Sequence, residues 1–504
     1  MKLYKIFSAS LALLLGWSGT AFAQNEVDAL RYSRLGVTGS ARIQGIGGAQ
    51  TALGADISSM SANPAGLGMF RRSEFSISPA LQLNSTTTHI NGFTLSEDKN
   101  MVTIPQAGLV LSNRKGDEEA GDWRGLNLGI SLSRLNNFNQ QLYYQNTTDE
   151  TTPTIVEYFA DQANAKGRTL DDLNQEFTDG FNSLEGLAFG TYLIDVAEDP
   201  DGTEFVVPLT RYGSIDQEEE IRRSGSQSQF DIGVGTSYRD KLYLGASLGV
   251  VTSNFTQESI YRESEFSDST AFTGLELRDE FTTRGAGVNL RIGAIFRPVD
   301  AVRIGASIQT PTAYSLTDDY QRSLYASYDD GPTESASEMP GQFSYRLTTP
   351  FRANGGVAVF LNKYGFLTAD IEYVDYSGAR FSEEADEFGS SGNYFSDVNS
   401  TISDTYKSAI NYSFGAEGRY NAFRIRAGYA VSGDPYRNAA FDGTIKSYSL
   451  GAGIRLQKYY LDAAYVSSNG STRYSPYILA SGEEPVVDID QQQNTVMLTL
   501  GYNF

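Results

Sequence analysis

The feature that most limits what this chain can become is a period of two, repeated along most of its length. Phe230, Ile232, Val234, Thr236 and Tyr238 alternate with Asp231, Gly233, Gly235 and Ser237. Arg239-Asp240-Lys241 then turns the chain. Leu242, Leu244, Ala246, Leu248 and Val250 follow, alternating with Tyr243, Gly245, Ser247 and Gly249. The pattern returns over Val288 to Arg297, turns at Pro298 to Ala301, and resumes at Val302, Ile304, Ala306 and Ile308. It recurs across Asn421-Ala422 and across Gln457-Lys458. Successive side chains of a strand point to opposite faces, so each arm has one apolar face and one polar or glycine face. A soluble sandwich or propeller would alternate in the same way, but in shorter strands. These arms run to about ten residues or more, the length of a tilted strand crossing a bilayer. A bilayer leaves no backbone group unpaired, so the sheet must close into a barrel.

Fourteen strands fit, from 75–83 and 104–113 at the start to 488–504 at the end. That count is even, as such barrels require. Short connections at 239–241, 298–300, 362–363, 421–422 and 458 alternate with long ones, which puts both termini at the short-turn, periplasmic end. The connection at 114–123 is longer than its class predicts. The last strand alternates Val496, Leu498, Leu500, Tyr502 and Phe504 with Met497, Thr499, Gly501 and Asn503. An apolar strand closing on Tyr502 and Phe504 resembles the outer-membrane insertion signal, and so implies a barrel-assembly partner during biogenesis.

Met1 to Ala23 has the pattern of a secretory signal: Lys2 and Lys5, an apolar core around Leu11 to Leu15, and the small-x-small site Ala21-Phe22-Ala23. Gln24 is the expected mature start, and no later apolar run is long enough for a membrane helix. The formal charge is −22, and loss of Lys2 and Lys5 makes it −24. This argues against nucleic acid as a partner, because phosphate binding needs clustered Lys and Arg. There are no cysteines, which removes lipoprotein attachment, disulfides, thiol catalysis and Cys metal sites. His89 is the only histidine, and it reads as a polar loop residue. No nucleophile motif accompanies it, so neither an enzyme nor a catalytic residue is expected. Asp199-Pro-Asp201-Gly-Thr203-Glu204 has part of a calcium-loop spacing but lacks the third acidic position and the correct glycine. It reads as an acidic turn, and neither metal nor cofactor is expected.

One stretch departs from the strand pattern. Gly36 to Phe70 is glycine-rich, nearly uncharged and ends in Asn63-Pro64-Ala65-Gly66. Such a backbone fits a confined, irregular space. It is no dinucleotide loop, since the sixth position from Gly45 is Gln50, and no Gly-Lys-Ser/Thr closes a phosphate loop. Gly39-Ser40-Ala41-Arg42, then Gly45-Ile-Gly47-Gly48-Ala-Gln-Thr-Ala-Leu53, then Asn63-Pro64-Ala65-Gly66 resemble the N-terminal hatch of the FadL/TodX family. The family transports long-chain fatty acids and other hydrophobic compounds across the outer membrane. The resemblance implies an all-β fold: a fourteen-stranded antiparallel barrel plugged by residues 24–72, with the barrel at 73–504. Gly45, Gly47, Gly48, Asn63, Pro64, Ala65 and Gly66 would be the hatch residues. It also implies diffusive passage of the solute, which leaves sideways beside strand 3 rather than through the hatch. The expected partners are a hydrophobic small molecule, outer-membrane lipid and lipopolysaccharide. The alternatives are a haem- or small-solute-handling channel and a structural or adhesive barrel without transport.

Two further sets of residues invite a role. The loop at about 147–218 is acidic: Asp149 to Glu220 holds 18 acidic and 3 basic residues. Thr169 is placed to cap a helix carrying Leu170, Leu173, Phe177, Phe181 and Leu184, and Ile155, Val156, Tyr158 and Phe159 begin another. Leu170, Leu173, Phe177 and Phe181 could catch an apolar ligand outside the cell, or the helices could simply cap the rim. Parity places Arg291, Arg303, Arg424, Arg426 and Arg455 in the lumen with Asp231, Glu417 and Asp462. These could stiffen the barrel as ion pairs, or one or two could bind a substrate carboxylate bidentately.

Overall fold

The computed structural model describes residues 26–504 except 116–118, 120, 149–153, 210–213, 265–271, 330, 385–393 and 440. The signal segment Met1–Ala23 and Gln24 lie outside the described residues, as do parts of the 114–123 connection and of the acidic loop.

Fourteen antiparallel strands form one closed sheet. They are β1 (Glu74–Ile90), β2 (Phe93–Arg114), β3 (Trp123–Asn137, continued by Gln140–Thr147), β4 (Asp216–Tyr238), β5 (Leu242–Ser264), β6 (Phe272–Val299) and β7 (Val302–Gln309, continued by Ala313–Tyr328). The circle continues with β8 (Gly341–Thr348 and Arg352–Phe360), β9 (Gly365–Asp375 and Arg380–Glu383), β10 (Ser408–Tyr420), β11 (Phe423–Ser432), β12 (Ile445–Arg455), β13 (Tyr459–Tyr474) and β14 (Val487–Asn503). Each pairs with its sequence neighbour, and β14 returns to β1 from Asn503↔Glu74 to Asp488↔His89. The alternation sets which face is which. Leu126, Leu128, Ile130 and Leu132 of β3, Ile371 of β9 and Ile425 of β11 all stand exposed on the outside. Tyr364, Tyr420 and Tyr459 mark one rim of this apolar band and Tyr412, Tyr448 and Tyr465 the other. A continuous apolar belt between aromatic girdles faces lipid, not water. Among the described residues no helix is long and apolar enough to cross a membrane.

Two expectations need correction. Residues 84–103 are not a loop. β1 and β2 continue through them as a hairpin closed by Asn91-Gly92, both at positive φ (45° and 89°) as a two-residue turn requires. Its pairs are polar, as in Thr87 Oγ1 to Ser96 Oγ at 2.9 Å, so no apolar alternation announced it. His89 is therefore a strand residue, with Nδ1 3.0 Å from Thr94 Oγ1 and Nε2 3.3 Å from Asp490. The helix expected from Leu170 to Leu184 is also two helices, because Gly180 stops it at φ 112°.

The long connection between β3 and β4 folds into a cap. After α1 (Glu26–Ser33) and α2 (Ala41–Gln44) of the N-terminal segment, this connection supplies α3 (Ile155–Ala165), α4 (Leu170–Asp179), α5 (Leu184–Gly190) and a short hairpin, Ile194–Glu198 with Glu204–Pro208. Thr169 and Asp172 form a capping box at the start of α4. Val156, Phe159, Leu173, Leu187 and Leu193 pack with Tyr261, Leu275, Leu324 and Tyr477 from the strand tops and the β13–β14 loop.

Candidate conduit: hatch, lumen cavity and a break in the wall

Before β1 the chain lies inside the barrel. It forms the helix Glu26–Ser33, the short helix Ala41–Gln44, and the 3₁₀ turns Ile57–Ser61 and Pro64–Met69. Ser40, Asp56 and Asn63 cap the last three of these with their side chains. Asp56 also accepts from Ser40 Oγ at 2.8 Å. Asn63 accepts from Ala65 N at 3.1 Å and donates to Thr51 O at 2.7 Å and to Ala294 O on the wall at 3.2 Å. Pro64 stands at the first position of its turn, where no N–H is needed.

The wall receives this hatch on glycine. At Gly108, Gly129, Gly233, Gly235, Gly245, Gly293, Gly305, Gly356, Gly415, Gly428 and Gly451 a hatch atom occupies space that a Cβ would need. Those eleven positions lie on ten strands. Met60 sits over Gly129 and Gly233, Pro64 and Ala65 over Gly245, Asn63 over Gly293, Thr51 over Gly305 and Gly47 over Gly428. The remaining strands hold the hatch in other ways. Thr368 and Asp370 of β9 bond Ala49 O and Thr51 N, and Ala41 packs on Ala80 of β1, Ala464 of β13 and Met497 of β14. Wall side chains also satisfy hatch backbone: Asn127 donates to Leu67 O (2.7 Å), Ser247 to Met60 O (2.8 Å) and Ser307 to Ala62 O (2.8 Å). Gly45, Gly47, Asn63, Pro64 and Ala65 lie in this seam, whereas Gly48 packs on Val37 and Gly66 on Gly54 and Ser59, within the hatch.

The five lumen arginines do not converge. Arg426 is wholly buried between Glu417 and Asp462, 2.7 Å from each. Arg455 reaches Asp462 at 3.0 Å and lies over the Tyr460 ring. Arg424 folds back on the carbonyls of Asn421 and Phe423 in its own turn. Arg303 donates to Leu53 O at 2.6 Å and stacks on Phe360, so it holds the hatch. Arg291 is bonded to Gln309, and its Nε and Nη1 are buried without a partner. It faces a cavity of about 150 Å³ between hatch and wall. In the cap, Leu173 is fully buried, whereas Leu170 and Phe177 are exposed and Phe181 meets Phe177 edge-on at 5.9 Å. At the chain end, Tyr502 and Phe504 stack at 5.8 Å, and Phe504 N donates to Ser73 O at 3.0 Å.

Above the hatch lies a larger cavity of about 410 Å³. It borders a break in the wall. The β2–β3 ladder runs from Arg114↔Gly125 to Gln106↔Ser133 and stops. The next residue of β2 is Pro105, which has no N–H to donate. On β3 the chain bends at Asn136-Asn137-Phe138-Asn139, where Asn136 and Asn137 accept from the backbone N–H of Asn137 and Asn139. Beyond the bend, Gln140–Thr147 pairs with β4 and passes inside the β1–β2 hairpin. There Asn84 donates to Asn139 O (3.0 Å) and Thr88 to Tyr143 O (2.7 Å). Val102 and Ile104 of β2 are exposed and apolar, so the break begins within the lipid-facing band. Pro105 on one side and Arg134 to Gln140 on the other line the cavity. Toward the long-loop end the lumen is filled. Ile90, Leu142, Tyr144, Ile221, Val487 and Ile489 pack across it, and Glu219 accepts from Tyr144 and Tyr474 hydroxyls at 2.9 Å.

Sequence reading missed the cavity arginines, Arg31, Arg34, Arg134 and Arg223. One signal was present. The outward series Leu126, Leu128, Ile130, Leu132 ends on a charge, Arg134, where lipid-facing parity would place another apolar residue.

No family model and no curated protein matches the sequence. Solved structures do match. A FadL homologue from Pseudomonas aeruginosa is 14% identical, with a TM-score of 0.56 over 94% of this chain and 100% of its own. The toluene transporter TodX of Pseudomonas putida is also 14% identical, with a TM-score of 0.52 over 92% of this chain and 98% of its own. With its plugged lumen and fourteen-stranded wall, this chain has the fold of the FadL and TodX channels.

Proposed function

We propose that this protein is an outer-membrane channel for diffusive uptake of hydrophobic molecules that carry a polar end, such as long-chain fatty acids. Both termini face the periplasm and the helical cap faces outward. The observation that carries the reading is the break between β2 and β3 beside the cavity above the hatch. The hatch is seated on every strand, so a solute bound above it finds its exit in the wall. The names of the fold neighbours, a toluene transporter among them, support a hydrophobic solute. Exposed Leu170 and Phe177 on the cap offer a first contact for it. The acidic cap repels anions only within about one Debye length, roughly 8 Å in physiological salt. An amphiphile can therefore approach tail first.

The chain has no cysteine, so a pair can be introduced cleanly. Ile104→Cys with Leu132→Cys, joined by a reducible bifunctional linker, ties the two edges of the break. Uptake of labelled oleate should fall on cross-linking and return on reduction. Oleate uptake unchanged by a complete cross-link would rule out the lateral route.

A further inference from the structure

A bare hydrocarbon needs only apolar walls, and the 410 Å³ cavity beside the break carries many charged and amide groups among its apolar ones. Four arginines line it, Arg31, Arg34, Arg134 and Arg223, with ten asparagine and glutamine side chains. No aspartate or glutamate is among its described lining residues, in a chain of net charge −22. Arg31 is neutralised by Asp28 and covered by the Phe255 ring. The other three have no carboxylate within ion-pair distance among the described residues. Arg223 is held by two amide oxygens, Gln257 Oε1 at 2.8 Å and Gln140 Oε1 at 3.0 Å. The Nε atoms of Arg34 and Arg134 are buried without a partner.

In the wall just below the break, outside the cavity lining, Gln106 is fully buried and both ends of its amide lack a partner, as do the hydroxyls of Ser131 and Ser133. Buried polar groups left unpaired cost about 1–3 kcal/mol each and are normally satisfied by water or a ligand. Beside these groups the cavity has an apolar side, formed by Leu30 and Leu35 of the N-terminal segment and Phe138 of the β3 bend. The volume falls within the roughly 300–1,000 Å³ of small-molecule sites.

We infer that the cavity prefers an anionic amphiphile whose head group is large and rich in hydrogen-bonding groups, an acidic glycoside, over a simple carboxylate such as a fatty acid, and prefers both over a bare hydrocarbon. Arginine forks match a carboxylate. The side-chain amides donate and accept in the pairs that sugar hydroxyls need, and the apolar side takes the alkyl chain. Arg134, on the outward face at the break, meets the head group as it passes through the wall. This inference rests on the uptake reading above and names the class of its substrate.

The test uses the full-length protein in amphipol with Ser468→Cys carrying an environment-sensitive dye at the cavity lining. Octanol, octanoate, octyl glucoside and octyl glucuronide are titrated below their micelle concentrations. Octyl glucuronide should bind roughly tenfold or more tighter than octanoate, with octanol weakest. In the Arg134→Gln/Arg223→Gln variant, shown to be assembled by heat-modifiable gel mobility, glucuronide and octanoate should weaken while octyl glucoside holds. Equal binding of octanol and glucuronide, or a double variant indistinguishable from the parent, overturns the inference and leaves the lateral route standing. If none of the four ligands moves the dye, the inference falls with the cavity's part in uptake. Cross-linked protein that binds glucuronide as expected, yet takes up oleate freely, removes the lateral route alone.

Discussion

Gly245 of β5 is the sharpest place to test the seating of the hatch. Its inward side is occupied by the Pro64 carbonyl and by Ala65 N. A Cβ built there would stand 2.6 Å from that nitrogen, inside the 3.0 Å that real Cβ atoms keep. The obstacle is backbone within a capped turn, so no side-chain rotation relieves it. Overfilling a tight interior costs about 1–3 kcal/mol. Asn63, one residue away, bonds Thr51 O and Ala294 O, so the turn cannot move aside without disturbing those bonds. Gly245→Val should therefore raise the unseated fraction of the hatch by roughly 5–150-fold, the range that 1–3 kcal/mol corresponds to. The barrel should still assemble, because its strands pair without the hatch. The matching control is Gly378→Ala, where nothing lies within 4 Å of the added carbon. Three readouts decide: heat-modifiable mobility for assembly, liposome swelling with a small sugar for leakage, and oleate uptake at matched protein level. Gly245→Val should be assembled and leaky, and Gly378→Ala assembled and tight. An assembled Gly245→Val barrel that neither leaks nor changes uptake would refute the idea that the hatch is held by close approach to the wall.

Other sites give independent checks. Asn63→Ala removes a cap and the bond to the wall, and Ala65→Leu overfills the seat; both should insert normally and alter oleate uptake. Arg426→Ala leaves Glu417 and Asp462 as buried charges without their shared partner, which costs about 3–5 kcal/mol and should lower the temperature at which the barrel loses its compact gel mobility. Leu173→Ala opens the cap core at a fully buried position, worth about 2–5 kcal/mol, and should make the α3–α5 region the first site cut by protease on whole cells. Burial alone would raise the Glu185 pKa in the cap, but Lys166 at 3.0 Å and Arg168 at 3.2 Å bring it below the usual value. A lowered folded pKa stabilises above the unfolded value and is lost as pH falls through the folded one, so cap protection should decline below about pH 4 and the decline should be smaller in Glu185→Gln. Deleting Phe504 should impair insertion, read as loss of the heat-modifiable band.

How much of this was legible in the sequence depends on which force shaped each part. Where lipid sets one face, as in Phe230 to Tyr238, the alternation is strong and the strand ends fall within a few residues of expectation. The β1–β2 hairpin beyond residue 84 was illegible because it rises above the apolar band and pairs polar residues, Asn84 with Lys99, Ser85 with Asp98 and Thr87 with Ser96. The α4–α5 break at Gly180 was hidden because Phe181 and Leu184 happen to keep helical spacing. Asn63-Pro64 opens a capped turn, where an Asn side chain bonds nearby backbone and Pro fixes one dihedral. The girdle of wall glycines was visible as composition but not as a seat, since each gains its meaning from a hatch atom far away in sequence. The break at Pro105 likewise needed the neighbouring strand before a missing N–H could mean an opening.

The hatch also has a mechanical consequence. Contacts to all fourteen strands at one level act as spokes, so the wall there resists any change from its resting outline. Above that level the rim is cut at Pro105 and β3 has bent inward. Deformation is then concentrated in the cut half. A passing solute can spread Val102–Pro105 from Arg134 without straining the seal beneath it. In hydrogen exchange, amides flanking Gly245, Gly305 and Gly428 should be the slowest of the wall. Those of the unpaired β2 edge should exchange fastest, and faster still while solute is moving through.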